Sequence, residues 1–188
     1  NEAFGVVDGL ALIGTSPQPQ ISASPEKLGK TLENLRSLIS QRSFRGDLVF
    51  VIGENGLDLS LKLGIPSTAL IKTGNWLGPL LVEAAQSSVK NLLLIGYHGK
   101  LVKLAGGIFH THHHLADGRL EVLTAIAVQE NLPIDLIRII GQSASVEDAL
   151  IKLETRDKKL VEKLWSKVAI AVEERSMAYL QRYGSWSL

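Results

Sequence analysis

The sequence of 188 residues contains no cysteine, and this absence excludes several kinds of chemistry. Without thiols the chain cannot form a disulfide, a thiolate zinc site or a cysteine nucleophile. Aromatic residues make up only 5% of the chain, whereas hydrophobic residues together make up 45%. The core must therefore be mainly aliphatic, and the overall proportion is that of an ordinary globular domain.

Neither the charge balance nor the apolar runs favour a polyanion or a membrane as partner. Twenty Lys and Arg residues against 19 Asp and Glu residues give a net charge of +1, so no overall field attracts nucleic acid. The longest apolar runs, such as 91–96, are far shorter than the roughly 20 residues of a membrane-spanning helix. We expect a cytoplasmic protein without nucleic-acid or membrane partners, able to form a homo-oligomer. Asn1 already stands in a domain-like segment, which predicts an upstream region.

Strand-like segments alternate with segments of helical periodicity, which predicts an α/β fold. We expect strands, each followed by a glycine-bearing loop, at 6–13, 47–53, 68–72 and 91–95. We expect helices at 25–41, 57–63, 79–88, 100–105, 117–129, from 145 and at 157–182, with 134–140 ambiguous. The predicted architecture is a three-layer Rossmann-like sheet, parallel or mixed, with helices on both faces. Residues 1–142 would form this domain, and residues 143–188 a C-terminal helical segment packed on it.

The glycine-bearing loops are the first candidate binding elements. In open α/β sheets ligands bind outside the carboxyl ends of the strands, where these loops would converge. Glycine allows a backbone to approach a ligand closely. Neither a GxGxxG dinucleotide pattern nor a Walker phosphate loop is present. The candidate loop residues are Gly14, Thr15, Gly53, Glu54, Asn55, Gly56, Asn75 and Gly78.

All five histidines fall between His98 and His114. His110, His112 and His114 would share one side of an extended segment, which would suit a metal site. The HxHxDH pattern of metallohydrolases is incomplete, however, because His114 and Leu115 stand where the pattern requires aspartate and histidine. Surface histidines without function are a second interpretation. A third is that they bind or deprotonate an acidic substrate, helped by the nearby Lys100, Lys103 and Arg119.

Asp117 and Glu121 follow the histidines at the start of a predicted helix. Acidic residues in a first helical turn often only complement the helix dipole. A purely structural role therefore stays open for both carboxylates, as solvent exposure does for Lys100 and Lys103.

The segment from Gly96 to Glu121 carries a specific combination of motifs. It contains Gly96 with Gly99-Lys100-Leu101-Val102-Lys103-Leu104-Ala105, then Thr111-His112, then Ala116-Asp117, Arg119 and Glu121. These residues resemble the GHxGKLxKLA, NTHS and ADxRxE elements of the CbiD family of cobalt-precorrin-5B C(1)-methyltransferases. Further loops of that family are similar to Leu12-Ile13-Gly14-Thr15, to Gly53 with Asn55 and Gly56, and to Asn75 with Gly78.

The resemblance covers about residues 1–130 and has departures. Tyr97 stands where the family has histidine, and His98 follows one place later. His110 and His113 replace the asparagine and serine of the NTHS element, and Ser16-Pro17-Gln18-Pro19 replaces another family loop. Family members are about twice as long, with an N-terminal domain that has no counterpart here.

The resemblance implies an S-adenosylmethionine-dependent methyltransferase that converts cobalt-precorrin-5B to cobalt-precorrin-6A in anaerobic cobalamin synthesis. The eight loop residues named above would then hold the methyl donor, and cobalt would arrive only as part of the substrate. His112 and Asp117 would transfer protons. The residues implied in binding the macrocycle are His98, Lys100, Lys103, His110, Thr111, Arg119 and Glu121.

Two other functions stay open. One is a metal-dependent hydrolase that uses His110, His112 and His114. The other is a non-catalytic tetrapyrrole-binding module. Retained metal would indicate the hydrolase, whereas corrinoid binding without S-adenosylmethionine binding would indicate the module.

Overall fold

The computed structural model describes residues 6–7, 10–11, 25–112 and 115–186. Over these residues the chain is a mixed α/β protein. The strands are β1 (Val6–Val7), β2 (Leu10–Ala11), β3 (Asp47–Ile52), β4 (Leu70–Lys72) and β5 (Asn91–Gly96). The helices are α1 (Pro25–Ile39), α2 (Glu54–Lys62), α3 (Leu77–Ala85), α4 (His98–Ala105), α5 (Arg119–Gln129), α6 (Ile134–Gly141), α7 (Val146–Glu154) and α8 (Lys158–Leu180). A short 3-10 helix, Ser67–Ala69, precedes β4.

Three parallel strands form the main sheet, with β3 between β4 and β5. The predicted α/β class and a parallel sheet are confirmed for the described residues, whereas the three-layer Rossmann-like arrangement and the boundary at residue 142 stay predictions. The single strand expected at 6–13 is wrong. β1 and β2 pair with each other in a separate antiparallel sheet, with Val7 opposite Leu10. An Asp-Gly pair, typical of two-residue hairpin turns, separates them in the sequence.

Both faces of β3 are buried. Leu48, Phe50 and Ile52 join the main core, to which α1 and α3–α8 contribute. Val49 and Val51 point the other way and, with Ile95 of β5, form a smaller cluster that Leu57 of α2 partly covers. A strand buried on both faces is expected to read as a continuous apolar run, as β3 does.

Helix α2 lies very close to the sheet because its buried residues, Gly56 and Ser60, are small. A Cβ atom on Gly56 would lie 2.9 Å from the carbonyl oxygen of Ile95. The helix begins at Glu54, directly after Gly53, whose φ of 89° favours glycine. The tight loop predicted at 53–56 is therefore wrong. Gly56 is a packing position in a helix, not a turn position.

The close contact predicts that Gly56→Ala destabilises the fold. Overpacking of this kind costs about 1–3 kcal/mol, partly offset by the better helix propensity of alanine. Gly29 of α1 has nothing within 4 Å of an added Cβ. Gly29→Ala is therefore the control, and should stabilise by up to about 1 kcal/mol. Urea unfolding of both variants measures this. Equal stability changes would contradict the close approach of α2 to β5.

The remaining helices agree with the sequence pattern, apart from shifted ends. The ambiguous segment 134–140 is helix α6, and α3 and α4 each begin two residues earlier than predicted. Ser145 caps α7 by accepting a hydrogen bond from the backbone N–H of Asp148 at 3.1 Å. On α8, Leu164, Val168 and Val172 recur at four-residue spacing and are buried, whereas Leu160, one step earlier in the same series, is only half-buried.

Among the described residues, no helix combines the length and the apolar character that crossing a bilayer would require.

Candidate functional site

The carboxyl ends of β3, β4 and β5 lie at one edge of the sheet, because the three strands are parallel. Helices α2, α3 and α4 begin at this edge, with Gly53, Trp76 and Tyr97 as their N-cap residues. None of these N-caps makes a side-chain capping hydrogen bond. The N-cap residues therefore provide no side-chain hydrogen bond to the first-turn N–H groups of these three helices. These groups lie at the edge where α/β proteins bind ligands.

Asn75 joins the loop after β4 to the histidine-bearing segment. The residue is 8% exposed, and its Oδ1 accepts hydrogen bonds from Thr111 Oγ1 at 3.1 Å and Lys100 Nζ at 3.4 Å. The backbones also pair, since Thr111 N donates to Asn75 O and Gly78 N donates to Phe109 O, both at 3.0 Å. Segments 75–78 and 109–111 thus form one unit, which we call the Asn75 junction.

Trp76 and His110 form the middle of this junction. They pair as an isolated antiparallel bridge, and their ring centroids lie 4.3 Å apart in an edge-on arrangement. Trp76 Nε1 and His110 Nε2 are buried and have no hydrogen-bond partner among the described residues. A buried unpaired polar nitrogen costs free energy. A bound ligand or a further segment of protein could satisfy both atoms.

A cavity of about 800 Å³ opens beside the junction. It is bounded by α1, β4, the loop after β4 and the start of α2, and Gly53, Glu54, Asn75 and Lys100 line it. Glu54 and Lys72 form a salt bridge of 2.8 Å at the exposed rim. The volume lies within the range of about 300–1,000 Å³ that ligand sites usually show.

The predicted donor-binding residues divide into three groups. Gly53, Glu54 and Asn75 line the cavity. Asn55 is exposed outside it, Gly56 packs against β5, and Gly78 is buried in α3, where an added Cβ would lie 3.2 Å from Tyr179 Oη. Gly14 and Thr15 lie outside the described residues. The sequence did not single out Lys72 or Trp76, although both lie at or just beyond the end of β4.

Lys100 is a half-buried cation at the cavity wall. Burial and the neighbouring charge of Lys103 lower its pKa, while Glu54 opposes this shift. Its Nζ lies beside Gly53, where an added Cβ would be 3.6 Å away. The salt bridges of the described residues do not include Lys100. An ammonium group placed in this way is suited to an anionic ligand.

Lys103 is placed differently, although it follows only three residues later on α4. The residue is 2% exposed, and its Nζ donates to the carbonyl oxygens of Ala116 at 2.6 Å and Thr111 at 3.3 Å. Burial lowers its pKa. Its ammonium group points into the protein, so its position does not support the predicted contact with substrate.

Asp117 and Arg119 hold each other in a bidentate pair, with Nε–Oδ1 and Nη2–Oδ2 distances of 2.7 and 2.6 Å. The hydrogen bonds from Arg119 lower the pKa of Asp117, and those same bonds raise the pKa of Arg119. A carboxylate stabilised in this way is a weak base. Both residues, with the exposed Glu121, line a smaller cavity of about 270 Å³ beside α7.

Tyr97 and His98 belong to an aromatic group between α4 and α8. Their ring centroids are 3.8 Å apart, and that of Trp165 lies 5.9 Å from His98. Tyr97 Oη donates to Glu147 at 2.9 Å. Burial lowers the pKa of His98, with Glu147 opposing that effect and Arg119 adding to it. Sequence reasoning missed Trp165 and Glu147 as members of this group, because both lie more than 45 residues from His98 along the chain.

Tyr97 offers a pH-dependent test of this group. Burial, and then the hydrogen bond to Glu147, raise the pKa of Tyr97 from 10.0 to about 12. A phenol whose pKa is higher in the folded than in the unfolded protein stabilises the fold while it is protonated. This stabilisation is fully present below pH 10, and is lost as the pH rises towards 12. Glu147→Gln should lower the pKa of Tyr97, as followed by carbon NMR of the phenol ring. Titration of Tyr97 near pH 10 in both proteins would contradict the contact.

The described residues contain no group of three His, Asp or Glu side chains arranged to hold a metal ion. The rings of His110 and His112 lie 6.4 Å apart, and the backbone N–H of His112 donates to His110 Nδ1 at 3.4 Å. His114, which the hydrolase hypothesis requires, lies outside the described residues. That hypothesis therefore gains no support from the rest of the segment.

Comparison with known proteins identifies relatives over the whole chain. The chain is 63% identical to a cobalt-precorrin-5B C(1)-methyltransferase of Prochlorococcus marinus strain MIT 9313, covering all of this chain and 49% of the relative. Proteins of the same name from Parasynechococcus marenigrum strain WH8102 and Synechococcus sp. strain CC9902 are 56% and 55% identical over the full chain, covering 52% and 51% of those relatives. No solved structure matches the chain.

The chain spans about half the length of the curated relatives it matches. Residues 110–186 match the family model described as the C-terminal domain of CbiD. This region starts in the Asn75 junction at His110 and runs to the end of the described residues. These matches confirm the resemblance to the CbiD family that the motifs between Gly96 and Glu121 indicated.

Proposed function

We propose that this chain forms part of an S-adenosylmethionine-dependent methyltransferase that methylates C(1) of cobalt-precorrin-5B, giving cobalt-precorrin-6A in cobalamin biosynthesis. The relatives' names supply the reaction and the substrate. The observation that carries the proposal is the Asn75 junction, because it joins a loop at the edge of a parallel sheet to the histidine segment, beside a large cavity. Methyl transfer requires such an arrangement, in which donor and acceptor sites adjoin.

The donor would lie in the 800 Å³ cavity. When bound, S-adenosylmethionine supplies an electrophilic methyl group, which a nucleophilic ring carbon accepts while the carbon–sulfur bond breaks and S-adenosylhomocysteine is left. Gly53 allows close backbone approach, and Glu54 places a carboxylate at the rim, suited to ribose hydroxyls. Trp76 Nε1, buried without a partner nearby, is a donor that a ligand could satisfy. These features fit a polar ligand of nucleoside size.

The acidic macrocycle would meet the cations near α4. Lys100 reaches the cavity wall, and we assign it to a carboxylate of the substrate. Arg119 lies beside the first turn of α4, to which His98 belongs, because Arg119 Nη1 would be 3.6 Å from a Cβ atom added to Gly99. Arg119 must exchange or share its contact with Asp117 to bind a substrate carboxylate. His110, Thr111 and Glu121 stay proposed substrate contacts.

Proton transfer is assigned to His112. His112 is 8% exposed and directly follows Thr111 of the Asn75 junction. Asp117 is the weaker candidate, because Arg119 stabilises its ionised form. His112 would remove or return the proton that the ring must exchange when a new carbon–carbon bond forms.

Calorimetry with S-adenosylmethionine and S-adenosylhomocysteine tests the proposal. It uses a full-length family member, that is, a protein of the relatives' length that contains this sequence. Both ligands should bind at one site per chain. Stoichiometric zinc or iron that survives dialysis and is lost in His112→Ala would instead favour the hydrolase. Corrinoid binding without binding of either sulfur compound would favour the non-catalytic module.

Lys100→Met should weaken binding of the acidic substrate by about tenfold or more, because a partly buried charge-assisted bond is lost. Lys62→Met, an exposed lysine on α2, is the control and should leave binding unchanged. Substrate titration by absorbance measures both. An unchanged affinity of Lys100→Met for the substrate would show that Lys100 does not bind it.

A further inference from the structure

Lys103 connects the two ends of the segment that carries His112. Its ammonium group donates to the carbonyl oxygens of Thr111 and Ala116, which lie at either end of residues 111–116. The backbone N–H groups of Leu115 and Ala116 also donate to His112 O, at 3.2 and 3.4 Å. One buried cation thus holds both ends of the segment whose histidine we assign to proton transfer.

The burial of Lys103 is unusual for a lysine. Its side chain is among the largest fully buried side chains of the described residues, and no carboxylate of those residues lies within 4.0 Å of its Nζ. Lysine is almost never fully buried unless it is paired. Here carbonyl oxygens take the place of a counter-ion, with the charge of Asp117 assisting from further away. A buried leucine or methionine would avoid the desolvation cost but could not bind carbonyls.

Lys103 also influences the charges around it. It lies on α4 between Lys100, whose pKa it lowers, and the pair formed by Asp117 and Arg119. Helix α4 itself packs against α5, α7 and α8. Lys103 therefore belongs to a helix that packs into the core. Its hydrogen bonds attach the histidine segment, residues 111–116, to that helix.

We propose that Lys103 is a positioning residue, which fixes the His112 segment against α4 and does not itself contact the substrate. Its effect on catalysis rests on the proposed function, whereas its effect on the segment does not. Lys100 and Lys103 then have different tasks despite their spacing. Lys100 binds an anion at the cavity, and Lys103 holds the two ends of the segment that carries His112.

The matched variants Lys103→Met and Lys100→Met test this division in a full-length family member that carries the chain. Lys103→Met should lower kcat about 100-fold, since misplacement by about 1 Å can cost that much, with KM little changed. Lys100→Met should mainly raise KM. A raised KM with normal kcat in Lys103→Met would show that Lys103 binds substrate, and would overturn the proposal.

Hydrogen exchange gives a readout that does not depend on activity. In Lys103→Met, the peptide covering residues 109–117 should lose protection while α8 keeps it. Unchanged protection in that peptide would overturn the proposal, whether or not the enzyme methylates cobalt-precorrin-5B. A uniform loss of protection throughout the chain would also overturn it, because Lys103 would then only support overall stability.

The unsubstituted protein provides a second test should Lys103→Met fail to fold. Buried, hydrogen-bonded ammonium protons exchange slowly with water, so nitrogen NMR of the lysine side chains should detect Lys103 as a persistent NH3 signal. The exposed Lys62 should give none under the same conditions. Fast exchange of the Lys103 ammonium protons would contradict its hydrogen bonds to the carbonyl oxygens of Thr111 and Ala116, and would overturn the proposal.

Discussion

Replacing His112 with alanine is expected to lower kcat for methyl transfer by about 10²–10⁴-fold, the usual contribution of a positioned acid or base. His112 is buried next to the Asn75 junction, and the alternative group, Asp117, is held in its ionised form by Arg119. Asp117 should therefore not replace the missing imidazole as a base. Single-turnover formation of the methylated ring in a full-length family member measures the effect.

Binding of S-adenosylhomocysteine provides the control for His112→Ala. The cavity proposed for the donor is lined by residues other than His112, so the affinity for this ligand should not change. Asp117→Asn should reduce kcat less than His112→Ala. Normal kcat in His112→Ala, with intact donor binding, would contradict the assignment of proton transfer.

Replacing Asn75 with alanine is expected to affect both stability and activity. The substitution leaves the Thr111 hydroxyl and the Lys100 ammonium group without their shared acceptor. Loss of an acceptor from a buried site costs about 1–3 kcal/mol. The displaced histidine segment should lower kcat by up to about 100-fold. Urea unfolding and single-turnover kinetics measure the two effects.

Asn55→Ala is the matched control for Asn75→Ala. The two asparagines follow neighbouring strands, and the sequence placed them in equivalent donor-binding loops. Asn55 is exposed, so its replacement should change stability by no more than about 0.5 kcal/mol. A double-mutant cycle with Thr111→Val isolates the hydrogen bond to Asn75. Equal effects of Asn55→Ala and Asn75→Ala, or no coupling between Asn75 and Thr111, would contradict the junction.

From residue 25 onward, and apart from the ambiguous segment 134–140, the order of helices and strands could be predicted because periodicity is a local property of the sequence. The apolar run of β3 and the cap at Ser145 are examples in which neighbouring residues decide the structure. Gly56 shows the limit of this reasoning. A glycine after a strand reads as a turn, but here Ile95, far along the chain, requires a residue without a side chain. Such a requirement becomes visible only when the tertiary contact is known.

The sequence predicted which residues belong to the candidate site better than it predicted the contacts between those residues. The motifs indicated Asn75, Lys100, Lys103 and Thr111, and the structure brings all four together. Spacing alone could not separate the two lysines, because residues three apart lie on neighbouring positions of one helix face. Their difference in depth arises where α4 meets α5 and the histidine segment. The paired orientation of residues 75–78 and 109–111 likewise depends on a contact across more than 30 residues.

A structure of a full-length family member carrying this chain, determined with S-adenosylhomocysteine bound, would test whether donor cavity and histidine segment form one pocket. We predict that the sulfur atom lies in the cavity between Gly53 and Asn75, on the side of the Asn75 junction. A ligand bound elsewhere, with this cavity filled by other parts of the protein, would contradict the proposed site.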